Sequence, residues 1–179
     1  MDWKTERLTE QHDCRRFRCG KHALDSFLKR HALENDRRGL GNTYVAVAEE
    51  TGRVLGYVTL CSNSVHFEHV PTEGLPHYPI PAILIARLAV ERSARGMGVG
   101  SDLMSMALRL AVEIADRLGV FAVTVDAMTD DAKAFYRKRF GFTELLDDPH
   151  HLFVTVADLR ASGIEEPLRE RLDEPDDVT

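Results

Sequence analysis

The sequence is poor in several things, and each shortage excludes a class of protein. Among its 179 residues there are three cysteines, Cys14, Cys19 and Cys61. They form neither a CxxC pair nor an even set, so a disulfide framework or a zinc site has no support and the residues read as reduced thiols. No metal is expected. No run of about 18 apolar residues occurs, and Met1 to Glu6 lack the charged-then-apolar order of a signal peptide. A cytoplasmic protein with no membrane association is the expectation. No Gly-Lys-Ser or Gly-Lys-Thr follows a strand candidate, which removes the P-loop. Gly96-Met97-Gly98-Val99-Gly100-Ser101 has a glycine one position early for the dinucleotide pattern GxGxxG. Positive charge is also short: a formal net charge of -6 argues against a wholly basic surface built for nucleic acid.

What is present is a length and a 44% hydrophobic content suited to one compact domain. The charge is unevenly placed. Residues 161–179 carry seven acids, Glu165, Glu166, Glu170, Asp173, Glu174, Asp176 and Asp177, against Arg169 and Arg171. The expected organisation is therefore a domain over 1–160 and an acidic tail over 161–179. Within 14–38 the balance reverses, with Arg15, Arg16, Arg18, Lys21, Lys29, Arg30, Arg37 and Arg38 facing only Asp25, Glu34 and Asp36. This stretch is a candidate basic face.

Periodicity sorts the chain into alternating strands and helices, a mixed α/β pattern. Leu24, Phe27, Leu28 and Ala32 recur at helical spacing, which predicts one amphipathic helix over 21–37, ended by Gly39 and Gly41. Residues 43–61 read as a hairpin turning at Glu50 to Arg53. Pro71, Pro76, Pro79 and Pro81 with Gly74 mark an exposed connection. Ile83 to Val90 is the most apolar strand candidate, consistent with burial on both faces. A helix follows from the glycine loop to about Leu118, then a strand over 120–125, a short helix over 130–139 and strands over 142–146 and 152–156.

The order of apolar strand, glycine loop and helix aims free backbone N–H groups at an anion, since the first N–H groups of a helix lack partners and carry the positive end of its dipole. Gly96, Gly98 and Gly100 let backbone approach a ligand closely, and Arg95 adds charge. A pyrophosphate suits such a cradle. The pattern [RQ]-x-x-G-x-[GA] is met by Arg95, Gly98 and Gly100, and here the chain resembles the GCN5-related N-acetyltransferases (GNAT), whose acyl-CoA loop has this form. Ala132-Lys133-Ala134-Phe135-Tyr136-Arg137-Lys138-Arg139-Phe140-Gly141-Phe142, about 40 residues on, looks like that family's late helix and its Gly-Phe turn.

The resemblance implies a GNAT acyl-CoA N-acyltransferase fold, a central, mostly antiparallel sheet with flanking helices. It implies acetyl-CoA as cosubstrate, held by the backbone of Leu88 and Val90, by Arg95, Gly96, Gly98, Val99, Gly100 and Ser101, and beside Phe135. Tyr136 takes the role of proton donor to the departing thiolate as an amine attacks the thioester directly. Many relatives place an asparagine ahead of this helix, where the chain has Met128-Thr129-Asp130.

Phe17-Arg18-Cys19-Gly20, Leu24-Asp25-Ser26-Phe27-Leu28, Thr43 to Val47, Arg87-Leu88-Ala89-Val90 and His151-Leu152-Phe153 resemble the GNAT toxins of toxin-antitoxin modules. Those proteins acetylate the α-amine of aminoacyl-tRNA and are neutralised by a ribbon-helix-helix antitoxin; dimers are frequent in such families. On that resemblance Arg15, Arg16, Lys29, Arg30, Arg37 and Arg38 are candidates to meet tRNA phosphates. A small-molecule amine or a protein N-terminus is the alternative acceptor, and a non-catalytic CoA-fold module is the alternative to an enzyme. The base is unassigned: Glu34 and Asp36 sit on a helix surface, and an amine of pKa near 8 needs little help. His150 and His151, adjacent at a strand start, are expected on opposite faces and not as a metal pair.

Overall fold

The computed structural model describes residues 1–164. The acids assigned to the tail, Glu165 onward, lie outside the described residues. Seven strands form one sheet in the order β1-β2-β3-β4-β5-β7-β6. They are β1 Trp3–Arg7, β2 Asn42–Ala48, β3 Val54–Val65, β4 Ile80–Val90, β5 Ala122–Asp126, β6 Thr143–Glu144 and β7 His151–Thr155. Every neighbouring pair is antiparallel except β4 and β5, which run parallel. The expected mixed, mostly antiparallel sheet is what the chain forms.

The central strands read as continuous apolar runs because both faces of the sheet are covered. In β2, Ala46 and Ala48 face the helix α3 (Val99–Ala115), while Val45 and Val47 face α1 (His22–Arg30) and α2 (Ala32–Arg37). Helix α3 buries Leu103, Met104, Ala107, Leu108, Ala111 and Val112, a stripe at i, i+3 and i+4 spacing, against β3 and β4. On the opposite face Phe17 and Phe27 pack about the buried ring of Tyr57, with centroids at 5.6 and 6.1 Å. Among the described residues no helix is long and apolar enough to cross a membrane.

The key departure from regularity is in β4. It pairs with β3 along its whole length but with β5 only over Ala82–Ile85, opposite Ala122–Val125. The β3 register also slips here: Leu60 sits across from Ile85 and Thr59 from Arg87, leaving Ala86 as an extra residue. Such a bulge bends its strand and increases its twist, so β4 swings away from β5 beyond Ile85.

Three boundaries differ from expectation. The helix predicted over 21–37 bends at His31 (φ -123°, ψ -28°) into α1 and α2. The bend seats the fully buried Ala32 beside Phe27 and Leu28 and brings Asp36 to the sheet edge. There Asp36 accepts from Arg7 Nη2 at 2.6 Å and from the Thr43 amide at 3.3 Å. The strand predicted over 142–146 shrinks to β6, since the Leu146 amide turns away to the carbonyl of His69 (2.8 Å). The last strand stops at Thr155, whose hydroxyl accepts from the Asp158 amide and caps an unforeseen helix, α5 (Val156–Ala161). Leu159 and Ile164 close the core behind it.

Leu103 has no solvent exposure and lies in the largest apolar cluster. Leu103→Ala should lower the unfolding free energy by about 3 kcal/mol, read from the urea midpoint, while leaving the urea slope unchanged.

Candidate active site

The divergence of β4 from β5 opens a cleft of about 280 Å³. Ile85 to Val90 form one wall, and Val125, Asp126, Met128, Ala132 and Tyr136 form the other; Cys19, Lys21, Leu24 and Arg95 complete the lining. Along Ala86–Val90 the β5 side of β4 has no strand partner, which leaves backbone donors and acceptors free beside the cavity. Leu88 and Val90, named from sequence, both lie here.

Val90 and Arg95 also belong to a second depression that continues past the end of β4, lined by residues 94–101, Phe135 and Arg139. Gly98 is the N-cap of α3 with φ +95°, and Gly96 has φ +76°; both are left-handed conformations that L side chains rarely adopt. Gly100 lies close to the end of β4, where a Cβ would meet Val90 Cγ2 at 3.2 Å. No side chain caps α3, and the Asp102 amide is already bonded to the Gly98 carbonyl (3.0 Å). The amides of Val99, Gly100 and Ser101 thus stand at the positive end of a 17-residue helix with no intrahelical acceptor.

The loop is held from behind. Glu91 is 5% exposed and accepts from the Ser93 amide at 2.9 Å and from the Ser93 hydroxyl, with Arg53 Nη2 2.9 Å away. Burial alone raises its pKa, but the Ser93 bonds and the Arg53 charge outweigh that and hold it below the ordinary glutamate value. A strap of residues from the N-terminal half crosses the same loop: the Arg92 amide donates to the Arg18 carbonyl (2.9 Å), and Arg95 Nη2 donates to the Cys19 carbonyl. Gly20 turns at φ +91° against the Arg92 guanidinium. Arg95, expected as added charge for a ligand, therefore also ties the loop to residue 19. A further cation at this depression is Arg139, whose Nη1 donates to Ser101 Oγ at 3.1 Å. Sequence reasoning missed it, because a basic residue in the last turn of a helix has an ordinary explanation in the helix dipole.

Tyr136 lies on α4 (Asp130–Phe140), which begins at the Thr129 cap and ends at Gly141 in the left-handed region. Its ring is buried beside Phe135 and Phe142, with centroids at 5.3 and 5.8 Å. Burial pushes the phenol up to about 12, so the hydroxyl stays protonated at neutral pH. It has no hydrogen-bond partner among the described residues and lines the β4–β5 cleft. Phe135, one residue earlier, lines the neighbouring depression.

The six basic candidates of the N-terminal half lie away from this cleft. Arg15 is paired with Asp13 at 2.9 Å and Arg37 with Glu10. Asp13 and Glu10 fall just outside the 14–38 window in which cations were counted against acids. Arg16, Arg30 and Arg38 are exposed and Lys29 is half-buried. Of the two acids weighed as a base, Asp36 is engaged by Arg7 and Thr43, and Glu34 is exposed on α2. His150 approaches Asp130 at 2.9 Å and His151 approaches Asp147 at 2.9 Å, so the adjacent rings turn to different carboxylates.

The site thus joins a backbone edge left free by a splayed parallel pair to an uncapped helix N-terminus in a glycine loop. Residues 6–142 match the model of the Acetyltransferase (GNAT) family. The chain belongs to that family. The tRNA-acetylating toxin of Mycobacterium tuberculosis is 37% identical to it over 158 residues, 87% of this chain and 93% of that protein. The structure of AtaT complexed with acetyl-methionyl-tRNAfMet is similar with a TM-score of 0.84 at 28% identity, covering 90% of this chain and 99% of that one. A tyrosine-to-phenylalanine mutant of the AtaT toxin, bound to the C-terminus of the antitoxin AtaR and acetyl-CoA, gives a TM-score of 0.76 at 27% identity, covering 90% and 98%.

The depressed pKa of Glu91 means that it stabilises the fold fully above the ordinary glutamate value and loses that contribution as pH falls through its lower folded value. Glu91→Gln should therefore flatten the fall in Tm between about pH 5 and about pH 3, measured by thermal melts. An unchanged pH profile would remove Glu91 from the anchoring of the loop.

Proposed function

We propose that the protein transfers an acetyl group from acetyl-CoA to the α-amine of aminoacyl-tRNA, acting in the cytoplasm as the toxin of a toxin-antitoxin module. The observation that carries the site assignment is the unpaired stretch Ala86–Val90 running directly into the uncapped N-terminus of α3. An added strand is the natural guest for such an edge, and the amides of the pantetheine arm resemble a peptide in this respect. The pyrophosphate belongs at the amides of residues 98–101, with Arg95 and Arg139 as flanking cations and Phe135 beside the arm. The acceptor assignment is supported by the 37% identity to a tRNA-acetylating toxin over nearly the full length of both chains. It is supported also by the similarity to AtaT in complex with acetyl-methionyl-tRNAfMet, and the antitoxin partner by the AtaR complex.

When bound, acetyl-CoA supplies the acetyl group as an activated thioester. The chain's own residues provide position and protons. Backbone of β4 orients the arm so that the cleft between Leu88 and Tyr136 receives the reacting end. Tyr136 keeps its proton at neutral pH and offers it from Oη toward the departing sulfur, stabilising charge as it develops. Water takes the proton lost by the attacking amine and solvent returns one to the Tyr136 phenolate, so the turnover closes on neutral CoA thiol, neutral amide and protonated tyrosine. Of the six basic candidates, Arg16, Lys29, Arg30 and Arg38 remain available for tRNA phosphates, whereas Arg15 and Arg37 must first exchange Asp13 and Glu10 for them.

Incubation with charged tRNA and labelled acetyl-CoA should place label on the aminoacyl end of the tRNA. Label found only on small amines would overturn the acceptor assignment. In the same assay Tyr136→Phe should lower kcat by about 100-fold while leaving the acetyl-CoA Kd, measured by calorimetry, within about twofold of wild type. Full turnover in that variant would end the acid role of Tyr136.

A further inference from the structure

Arg87 is the one cation within the otherwise apolar run Ile83–Val90. It lies on the bulged part of β4, across from Thr59, and lines the same cleft as Tyr136. Its guanidinium carbon sits 3.7 Å from the centroid of the Phe27 ring. Phe27 is itself fixed by stacking on Tyr57, whose hydroxyl donates to the Leu24 carbonyl at 2.9 Å. The guanidinium thus sits over an aromatic floor built from α1 and β3, at cation–π distance.

What is missing around Arg87 matters as much. Among the described residues no carboxylate lies within ion-pairing distance and no acceptor receives any of its five N–H groups. The buried acid nearest in sequence to that floor, Asp25, is taken by the Cys19 amide at 2.7 Å. Among the described residues Arg109 Nε is the one buried side-chain nitrogen without a partner, so the Arg87 nitrogens are not sealed in. Arg87 is among the residues that line the cleft. The guanidinium is half-buried at the cleft wall and, among the described residues, carries no anion, so its fork is open to a ligand. Its planar fork matches the oxygens of a phosphate or carboxylate.

We infer that Arg87 is an acceptor-anchoring residue that grips an oxyanion carried by the substrate close to its reacting amine, and that this oxyanion is the phosphodiester of the terminal aminoacyl-nucleotide. The inference rests on the aminoacyl-tRNA assignment above, and it adds a specificity element that the exposed cations of α1 and α2 do not supply. Those meet a polyanion at its surface; Arg87 reads a single charge inside the cleft. A free amino acid offers the same chemistry through its carboxylate, so the test must separate the two sources.

Three acceptors do this: 3′-aminoacyl-adenosine, the 3′-aminoacyl-CpA dinucleotide that adds one phosphodiester, and the free amino acid. Wild type should favour the dinucleotide over the adenosine by about 10- to 100-fold in kcat/KM, mainly through KM, and should leave the free amino acid unmodified. Arg87→Gln should collapse the dinucleotide preference to near unity, and Arg87→Lys should restore only part of it. Acetyl-CoA binding, followed by calorimetry, confirms that each variant is folded. Equal losses on both nucleotides with the preference intact, or a wild type that does not prefer the dinucleotide, would show Arg87 to be a packing residue. Preferred acetylation of the free amino acid would assign the guanidinium to a carboxylate instead and overturn the inference. A wild type that acetylates neither nucleotide but acetylates simple amines would fail the aminoacyl-tRNA assignment itself, which is a different result from equal use of both nucleotides.

Discussion

The whole site depends on one broken pairing. β4 and β5 share hydrogen bonds over Ala82–Ile85 and then part, and everything chemical in the molecule gathers where they part. A bulge at Ala86 turns β4 outward, so its outer backbone edge goes unsatisfied within a fold whose other central strands are paired on both sides. Unpaired backbone is expensive unless solvent or a ligand takes the bonds, and here the cleft admits both. The helix that begins beyond β4 extends the same deficit: its first amides also lack acceptors. Strand edge and helix end together make a continuous track of backbone donors and acceptors, and the proposed function rests on an extended, partly anionic acyl carrier lying along it.

Side chains serve this track mainly by holding it in place. Glu91, Ser93 and Arg53 fasten the loop to the β2–β3 hairpin side, while the strap through Arg18, Cys19 and Gly20 fastens it to the N-terminal half. The strap explains a short run that otherwise looks featureless. Phe17 and Cys19 go into the core, the carbonyls of Arg18 and Cys19 receive Arg92 and Arg95, and Lys21 and Leu24 are delivered to the cleft wall. The glycine loop and the cleft wall at Lys21 and Leu24 are therefore coupled through one backbone bond, Arg92 to Arg18, and one side-chain bond, Arg95 to Cys19.

Much of this was legible in the sequence because the signals were local. The glycines at 96, 98 and 100 between a strand and a helix marked the cradle, and Tyr136 in a helix ending at Gly141 marked the opposite wall. The hairpin, the central strand and α3 followed from periodicity. What escaped was set by contacts remote in sequence. The bend at His31 depends on Asp36 reaching Arg7; α5 depends on Thr155 capping a helix that buries only Val156 and Leu159; Arg139 reaches Ser101 across 38 positions. The basic stretch 14–38 looked more available than it is, since two of its arginines are met by Glu10 and Asp13. Arg87 stood in plain view as a lone cation in an apolar strand, but only the absence of an acid around it gives that position a meaning.

Backbone amide hydrogen exchange in the presence and absence of acetyl-CoA tests the central claim most directly. Binding should slow exchange in two segments, 86–90 and 98–101, while β2 and the paired half of β4 change little. Protection that appears instead on the α1–α2 face, or no protection at 86–90 at saturating acetyl-CoA, would contradict a site built on the unpaired edge of β4.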